Sequence, residues 1–303
     1  MFRVYMTLVL CLVGFSFSSQ GHSAEGQSSQ KGKLSESKPH INWVEYDYPI
    51  AYSYRGQDKG HGLGDKISAL LKTELSGYTH SKVQGSIPRL FRIFNAETSC
   101  SILLKSEERL SHIYFTKPVH IFMPRYVFMH ADTFQRLNLD TKHDKKVSLA
   151  NLLKGNPSLS FGVVKGLAYA PAVSKVIEDH RDQALELSTM KVTDTLINML
   201  NNKRVDLAID YPENIQHYFK VQKKPSNLIG IPIDETPSYV GVHIGCSKTS
   251  DGKVIIAAAE KILTHYVTTE DYKAYSRYWI ASGFIDHFND LYGQFLAVNY
   301  PQF

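Results

Sequence analysis

The stretch 100-CSILLKSEERLSHIYFTKP-118 decides how this chain is interpreted. It opens with an apolar run from Cys100 to Leu104, bounded by polar residues as a buried strand is, and the apolar pattern resumes after the loop. Ser106, two glutamates and Arg109 interrupt the pattern. The interruption is typical either of a surface turn, in which Arg109 pairs with a neighbouring glutamate, or of an anion site that uses the guanidinium and the hydroxyl.

Strands and helices alternate on both sides of this stretch. Apolar periodicity predicts helices around residues 65–75, 87–94, 171–180 and 196–200. Strand-like runs are INWVEY at 41–46, LSFGVV at 159–164 and VDLAI at 205–209. Strands separated by helices of this length indicate an α/β fold with two largely parallel sheets.

Two extended runs flank the second series of strands and helices. They are RYVFMHA at 125–131 and SYVGVHIGC at 238–246, and two apolar helices are predicted after the second run. A chain that leaves one lobe, builds another and returns needs such a pair of connecting strands. The cleft between the lobes is then the natural place for a ligand.

The first 40 residues predict export. One arginine precedes an apolar run of 13 residues, 5–17, and small and polar residues follow it, which is the pattern of a secretory signal peptide over residues 1–24. Residues 25–40 contain almost nothing apolar and are predicted to be a flexible leader. We therefore expect a monomeric protein of the periplasm with its signal peptide cleaved.

Composition argues against several other classes of protein. The formal charge is +5, and no basic cluster is denser than KHDKK at 142–146, so no nucleic-acid partner is expected. His112, His120 and His130 are too far apart for a metal site and have no ligands at suitable spacing. No phosphate loop or nucleophile elbow occurs, and no cofactor is expected.

Five motifs in order carry a resemblance to a known family. They are EYDYPIAY, GHGLGD, the stretch from residue 100 to 118, FGVVKGLAY and LNNKRVDLAID. The chain from residue 41 to about residue 283 resembles the extracellular solute-binding protein family 3, the type 2 periplasmic binding proteins for polar amino acids and related solutes. The resemblance implies two α/β lobes, 41–130 plus 238–303 and 131–237, joined by two hinge strands and closing on a ligand.

The resemblance also assigns roles in the opening stretch. In this family the segment written here as Ser106-Glu107-Glu108-Arg109 follows a strand of the first lobe, and its arginine clamps the carboxylate of the ligand. A planar guanidinium suits this task because it donates two parallel hydrogen bonds where lysine offers a point charge. Ser106 is expected to donate to the same oxygen, and Leu104 to border the site.

The second lobe departs from the family pattern for α-amino acids. Gly166 is followed by Leu167 and Ala168, where those members carry a hydroxyl residue. Tyr211 stands where they place an aspartate that accepts the ligand's ammonium, and Asp210 comes one position early. Either the turn moves Asp210 into the cleft or no ammonium is bound. We expect an anionic ligand, such as a carboxylate, rather than a standard amino acid.

Tyrosines are further candidates for the walls of the cleft. Four tyrosines alternate along the chain, at positions 46, 48, 52 and 54. In one interpretation, one pair lines the cleft and the others cover the lobe. In the other interpretation, all four are half-buried strand surface. Tyr48, beside a proline, is the preferred wall residue of this group. Tyr169, after the FGVVKG motif, is the second candidate.

Two cysteines remain once the signal peptide is removed. Cys100 and Cys246 are either buried thiols that pack as small apolar residues or a single disulfide, which persists in an exported protein. The family fold implies that both lie on strands of one sheet in the first lobe, which favours the bridge.

Three functions are compatible with these expectations. The first is a periplasmic receptor that binds a small ligand and delivers it to the permease of an inner-membrane ABC transporter. The second is the same receptor acting on a membrane sensor protein. The third is an enzyme like the cyclohexadienyl dehydratase known on this fold, which requires a positioned acid such as Asp210 or a glutamate at 107–108. We rank the enzyme last and expect no catalysis.

Overall fold

The computed structural model describes residues 38–139 and 146–303. The predicted signal peptide, most of the predicted leader and most of the KHDKK segment lie outside these residues. The strands are β1 (His40–Glu45), β2 (Thr79–Gln84), β3 (Ser99–Leu103), β4 (Ile113–Phe115), β5 (His120–Phe122), β6 (Tyr126–His130), β7 (Phe161–Val164), β8 (Ala184–Leu187), β9 (Leu207–Asp210), β10 (Leu228–Pro232) and β11 (Val240–Ser247). The helices are α1 (Leu63–Glu74), α2 (Ile87–Ala96), α3 (Glu107–Leu110), α4 (Ala131–Arg136), α5 (Leu149–Gly155), α6 (Pro171–Asp179), α7 (Val192–Asn201), α8 (Pro212–Gln222), α9 (Ser250–Tyr266), α10 (Glu270–Arg277) and α11 (Ile285–Asn299).

The first sheet has the strand order β2-β1-β3-β11-β4, and β5 also pairs with β11. β1 is parallel to β2 and β3. β11 returns from far along the chain and is antiparallel to β3, β4 and β5. We call this sheet with its surrounding helices the first lobe.

The second sheet has the order β10-β6-β9-β7-β8 and forms the second lobe. β7 is parallel to β8 and β9, whereas β6 is antiparallel to β9 and β10. The two-sheet α/β architecture expected from the sequence is confirmed. Each sheet is mixed, however, because a strand from a distant part of the chain joins a parallel core in the antiparallel sense.

The two extended runs that flank the second lobe belong to different sheets. β11 lies in the first sheet, as expected for the returning run, whereas β6 hydrogen-bonds only to β9 and β10 of the second sheet. By sheet membership the chain crosses to the second lobe at residues 123–125, five residues or more before the predicted boundary at 130. After the return, three helices follow instead of the predicted two, α9, α10 and α11.

The GHGLGD motif brings helix α1 close to the loop that precedes it. A Cβ atom at Gly62 would lie 2.4 Å from the carbonyl oxygen of Ala51, and one at Gly64 would lie 2.5 Å from the ring of Tyr52. Only glycine permits this approach. The helix then buries Ile67 and Leu71 on one face, at the predicted helical spacing. Its first backbone N–H groups donate to carbonyl oxygens of residues 50 and 51, in the tyrosine loop at residues 46–54.

The predicted disulfide is present between adjacent strands of the first sheet. Cys100 in β3 and Cys246 in β11 are directly opposite partners in the antiparallel ladder, with Cα atoms 4.1 Å apart and both side chains fully buried. Cys100 lies near the beginning of β3, and Cys246 lies near the end of β11, as expected for partners in an antiparallel pair. The bridge links residues separated by 146 positions, and that span contains the whole second sheet.

Candidate functional site

A small cavity lies between the two lobes, at the carboxyl end of β3. Its volume is about 10 Å³, which is room for about one water molecule. The first lobe supplies the walls around β3 and the tyrosine loop, and the second lobe supplies Leu167, Ala168 and Tyr211. The polar side chains that line it are Tyr46, Tyr48, Arg109, Arg125 and Tyr211.

Arg109 reaches this cavity from the four-residue helix α3. Its side chain is buried, with 4% of the residue exposed, and lies over the ring of Phe91. Nη1 donates to the carbonyl oxygen of Leu104 at 2.7 Å, and Nη2 donates across the cleft to the carbonyl oxygen of Gly166 at 2.6 Å. The alternative of a surface ion pair with Glu107 or Glu108 is not observed among the described residues, because the guanidinium points inward.

The other two residues proposed in the opening stretch differ in their placement. Leu104 lines the cavity, and its carbonyl oxygen orients Arg109. Ser106 is half-buried at the N-terminal end of helix α3, where its carbonyl oxygen accepts from the backbone of Arg109 and Leu110. Its side chain does not line the cavity.

Arg125 is a second buried guanidinium in the same cavity. It lies in the connection between β5 and β6, where the chain crosses to the second lobe, and 5% of it is exposed. Nε donates to the hydroxyl of Tyr48 at 3.2 Å, and Nη1 donates to the carbonyl oxygen of Ala168 at 2.7 Å. The rings of Tyr169 and Tyr211 both lie 4.7 Å from its Cζ, in cation–π geometry.

Both guanidiniums therefore contact one turn of the second lobe, the turn after β7. Gly166 adopts a φ of 76°, the left-handed region that favours glycine. This conformation presents the carbonyl oxygens of Gly166 and Ala168 to the two arginines. The two residues after this glycine, Leu167 and Ala168, are apolar and line the cavity.

Asp210 is buried beside the cavity but its oxygen atoms are already occupied. Oδ1 accepts from the Tyr48 hydroxyl at 2.7 Å, from the Tyr211 backbone N–H at 2.7 Å and from Asn214 Nδ2 at 3.0 Å. Oδ2 accepts from the Thr193 hydroxyl at 2.8 Å. Burial raises the pKa of Asp210, and these four donors oppose that rise. The carboxylate orders the walls of the site rather than facing into it.

The tyrosines divide between the cavity and the core. Tyr46 and Tyr48 line the cavity, whereas Tyr52 hydrogen-bonds to Ser101 in the core and Tyr54 donates to Glu45. The hydroxyl of Tyr211 is buried and has no hydrogen-bond partner within the described chain. Burial raises its pKa to about 12, so this hydroxyl is a neutral donor at neutral pH.

Polar contacts hold the lobes together at the edges of the cleft. On one side Arg55 of the first lobe donates to both carboxylate oxygens of Asp194 in α7, at 2.7 and 2.8 Å. On the other side Asp58 accepts from His217 at 2.9 Å and from Lys220 at 3.1 Å, both in α8. The structure is thus the closed arrangement of the two lobes.

Residues 38–139 and 146–303 contain no group of three or more histidine, cysteine, aspartate or glutamate side chains that could hold a metal ion. Within the same ranges, none of the helices has the length and apolar character needed to cross a bilayer.

Comparison with solved structures relates this architecture to known proteins. A histidine kinase sensor domain with similarity to periplasmic binding proteins matches with a TM-score of 0.61 and 14% identity, covering 81% of this chain and 97% of that one. The chain has the periplasmic binding protein fold. An ancestral arginine-binding protein bound to arginine matches with a TM-score of 0.59 and 14% identity, over 80% and 99% of the two chains. An arginine 3rd transport system periplasmic binding protein from Legionella pneumophila matches with a TM-score of 0.58 and 17% identity, over 80% and 100%.

Sequence comparisons add no closer relationship, because no protein-family model matches the chain and no curated protein matches it.

Four of the site residues proposed from the sequence line the cavity, but its second guanidinium is not among the proposed residues. Tyr48, Leu104, Arg109 and Tyr211 line the cavity, and Gly166, Tyr169 and Asp210 contact those residues or Arg125. Arg125 was included only as the first residue of an extended run. The signal available for it was a lone arginine between Pro124 and a strand, at the point where the chain changes lobe.

Proposed function

We propose that this protein is a periplasmic ligand-binding protein that closes its two lobes on a small carboxylate-bearing solute and delivers it to the permease of an ABC transporter. The proposal includes export with cleavage of residues 1–24, a monomeric state, and a clamp in which Arg109 binds the carboxylate. Leu104, Tyr48, Tyr169, Gly166, Asp210 and Tyr211 are proposed to border or order that site, with Ser106 at its outer edge.

The observation that supports this function is the buried guanidinium of Arg109 at the junction of the lobes. A charged group is removed from water only where other interactions offset the cost, and within the described residues its acceptors are two neutral carbonyl oxygens. Burial lowers the pKa of Arg109, which expresses the same cost. An anionic ligand supplies the missing countercharge. The site is completed only when Gly166 of the second lobe approaches, so binding and closure are coupled.

A second candidate is a receptor that acts on a membrane sensor protein. One observation favours it, since a histidine kinase sensor domain matches this fold over 97% of its own length. The two candidates share the same ligand site and differ in the partner that recognises the closed lobes. Neighbouring genes distinguish them: genes for a permease and an ATPase support the transporter, and a lone sensor gene supports the receptor.

An enzyme is less favoured by the geometry. The residues that line the cavity include no carboxylic acid, and Asp210 has both oxygen atoms occupied by donors. A dehydratase needs an acid within hydrogen-bond reach of the substrate. Glu107 and Glu108 are exposed on α3. The site is therefore equipped to bind an anion rather than to move a proton.

The proposed function is tested by ligand binding to variants of Arg109. A thermal-shift screen of amino acids, organic acids and aromatic carboxylates identifies ligands, and calorimetry then compares the wild type with Arg109→Ala and Arg109→Lys. We expect Arg109→Ala to weaken binding by about 2–5 kcal/mol, because it leaves the carboxylate unpaired. Arg109→Lys should recover only part of this loss, because the fork geometry is absent.

The matched control is Arg136→Ala, which removes an arginine that is exposed on α4 and bonds to Asp206. It should bind as the wild type does. Melting temperatures without ligand separate a loss of binding from a loss of folding. A ligand that binds all of these proteins equally would show that Arg109 has no part in recognition. Mass spectrometry of the exported protein should find the mature chain beginning between residues 19 and 25.

A further inference from the structure

Two positive charges, Arg109 and Arg125, line the cavity, and no carboxylate lines it with them. Arg109 and Arg125 are 4% and 5% exposed. Their hydrogen bonds go to carbonyl and hydroxyl oxygens. In the described part of the chain neither forms an ion pair with a carboxylate. Two like charges in a site of low polarity repel, and a bound anion removes that repulsion.

Each guanidinium also retains donors that the protein does not use. A guanidinium has five N–H groups. Arg109 donates from Nη1 and Nη2, and Arg125 donates from Nε and Nη1. The carbonyl oxygens of Leu104, Gly166 and Ala168 thus fix the planes of the two guanidiniums and leave the remaining N–H groups for a ligand.

A third donor lies in the same cavity. The Tyr211 hydroxyl is buried, with 1% of the residue exposed, and has no partner in the described chain. Natural proteins seldom leave a buried hydroxyl without a hydrogen-bond partner. Its ring stacks on Arg125 at 4.7 Å, so it belongs to the same cluster. The cluster therefore offers three donor side chains, two guanidiniums and one hydroxyl, to a ligand that accepts hydrogen bonds.

The site has no corresponding place for an ammonium group. Asp210 stands near the position where amino-acid binders of this fold place their ammonium acceptor, but it accepts four hydrogen bonds from protein donors. The residues that line the cavity add no other carboxylate. An ammonium brought beside Arg109 and Arg125 would meet two positive charges and no acceptor charge.

From these observations we infer that the ligand is a compact oxyanion without an amino group, bound between Arg109 and Arg125 with the Tyr211 hydroxyl as a third donor. Arg125 is then a specificity-determining residue, because it contributes the second positive charge that selects against amino acids. The inference rests on the proposed ligand-binding function and adds the class of ligand and two of the residues that select it.

The size and charge of the cavity argue against arginine as the ligand, although a structural neighbour of this chain binds arginine. The cavity of about 10 Å³ accommodates a group of a few atoms with a small separation of the lobes. Arginine would require a much larger separation of the aromatic walls, and it would add a third guanidinium. The shared chemistry of carboxylates and phosphate fits the two arginines equally well.

The test is isothermal calorimetry on the full mature chain with two sets of probes. The first set is acetate, malonate, succinate and inorganic phosphate, and the second is glycine, glutamine and arginine. We expect an oxyanion to bind and the amino acids not to bind. Arg125→Gln should weaken oxyanion binding at least 30-fold, which is about 2 kcal/mol. Binding of phosphate alone or of carboxylates alone identifies which oxyanion the site takes.

Two further variants keep the test decisive. Tyr211→Phe removes a hydroxyl that has no protein partner, so it should fold as the wild type does and weaken oxyanion binding about 10-fold. Arg136→Gln is the matched control, because it makes the same change at an exposed arginine outside the cavity, and it should bind normally. If Arg125→Gln does not fold, Tyr211→Phe decides the outcome.

Three results would overturn the inference. An oxyanion that binds the wild type, Arg125→Gln and Tyr211→Phe equally would show that the second arginine does not contact it, while the proposed clamp at Arg109 would stand. Binding of an amino acid in place of the oxyanions would reject the ligand class but keep the ligand-binding function. Binding of no probe from either set would reject both.

Discussion

Reduction of the Cys100–Cys246 disulfide is expected to lower the stability of this protein by several kcal/mol. The bridge joins residues separated by 146 positions. In the chain-entropy description, closing a loop of that length restricts the unfolded chain by about 5 kcal/mol at 25 °C. The loop includes β4 to β10, so the bridge keeps the outgoing and returning ends of the second lobe together in the unfolded state.

Urea unfolding followed by circular dichroism measures this effect directly. The wild type is unfolded with and without dithiothreitol, and the same pair of experiments is run on the double variant Cys100→Ala, Cys246→Ala. Both cysteines are fully buried and are partners in the β3–β11 ladder, so the variant keeps the strand pairing and loses the covalent link. We expect dithiothreitol to shift the wild-type midpoint to lower urea and to leave the variant unchanged.

Three outcomes would refute this reasoning. A wild-type midpoint that does not move with dithiothreitol, while alkylation shows both thiols free, would mean that the bridge contributes nothing through loop closure. A midpoint that moves equally in the double variant would assign the effect to another process. A loss well below about 2 kcal/mol would also contradict the loop-length argument.

Three further predictions concern closure, pH and packing. Arg55→Ala removes the paired hydrogen bonds to Asp194 across the cleft, so it should disfavour the closed lobes by about 2 kcal/mol; small-angle X-ray scattering should show a larger radius of gyration. Burial raises the pKa of Glu213 from 4.5 to about 7, so the folded chain holds a proton that the unfolded chain has released. Stability should therefore fall as the pH rises from about 4.5 through 7, by at most about 3 kcal/mol, and urea unfolding of Glu213→Gln at pH 5 and pH 8 should show a smaller difference. Gly252→Ala places a Cβ 1.9 Å from a backbone carbonyl oxygen and should cost about 1–3 kcal/mol, whereas Gly293→Ala in α11, where nothing lies within 4 Å, should stabilise by about 0.5–1 kcal/mol in thermal melts.

The local elements of this fold could be predicted from the sequence. The apolar spacing around residues 65–75 and 87–94 predicts α1 and α2, and the apolar run at 205–209 predicts β9 within two residues. These signals are readable because helix and strand periodicity depends on neighbours only a few positions apart. The sequence motifs also predicted that Arg109 faces a cleft.

The pairing of strands and the completion of the site depended on the tertiary structure. Which strands lie beside β11, and in which direction, depends on contacts between residues more than 100 positions apart, and no local pattern encodes them. Arg125 meets Tyr48 of the first lobe and Tyr169 and Tyr211 of the second lobe through contacts between residues more than 40 positions apart. Periodicity identifies the buried face of an element, but the partner of a buried charge is decided by which distant elements pack together, and that is a property of the whole fold.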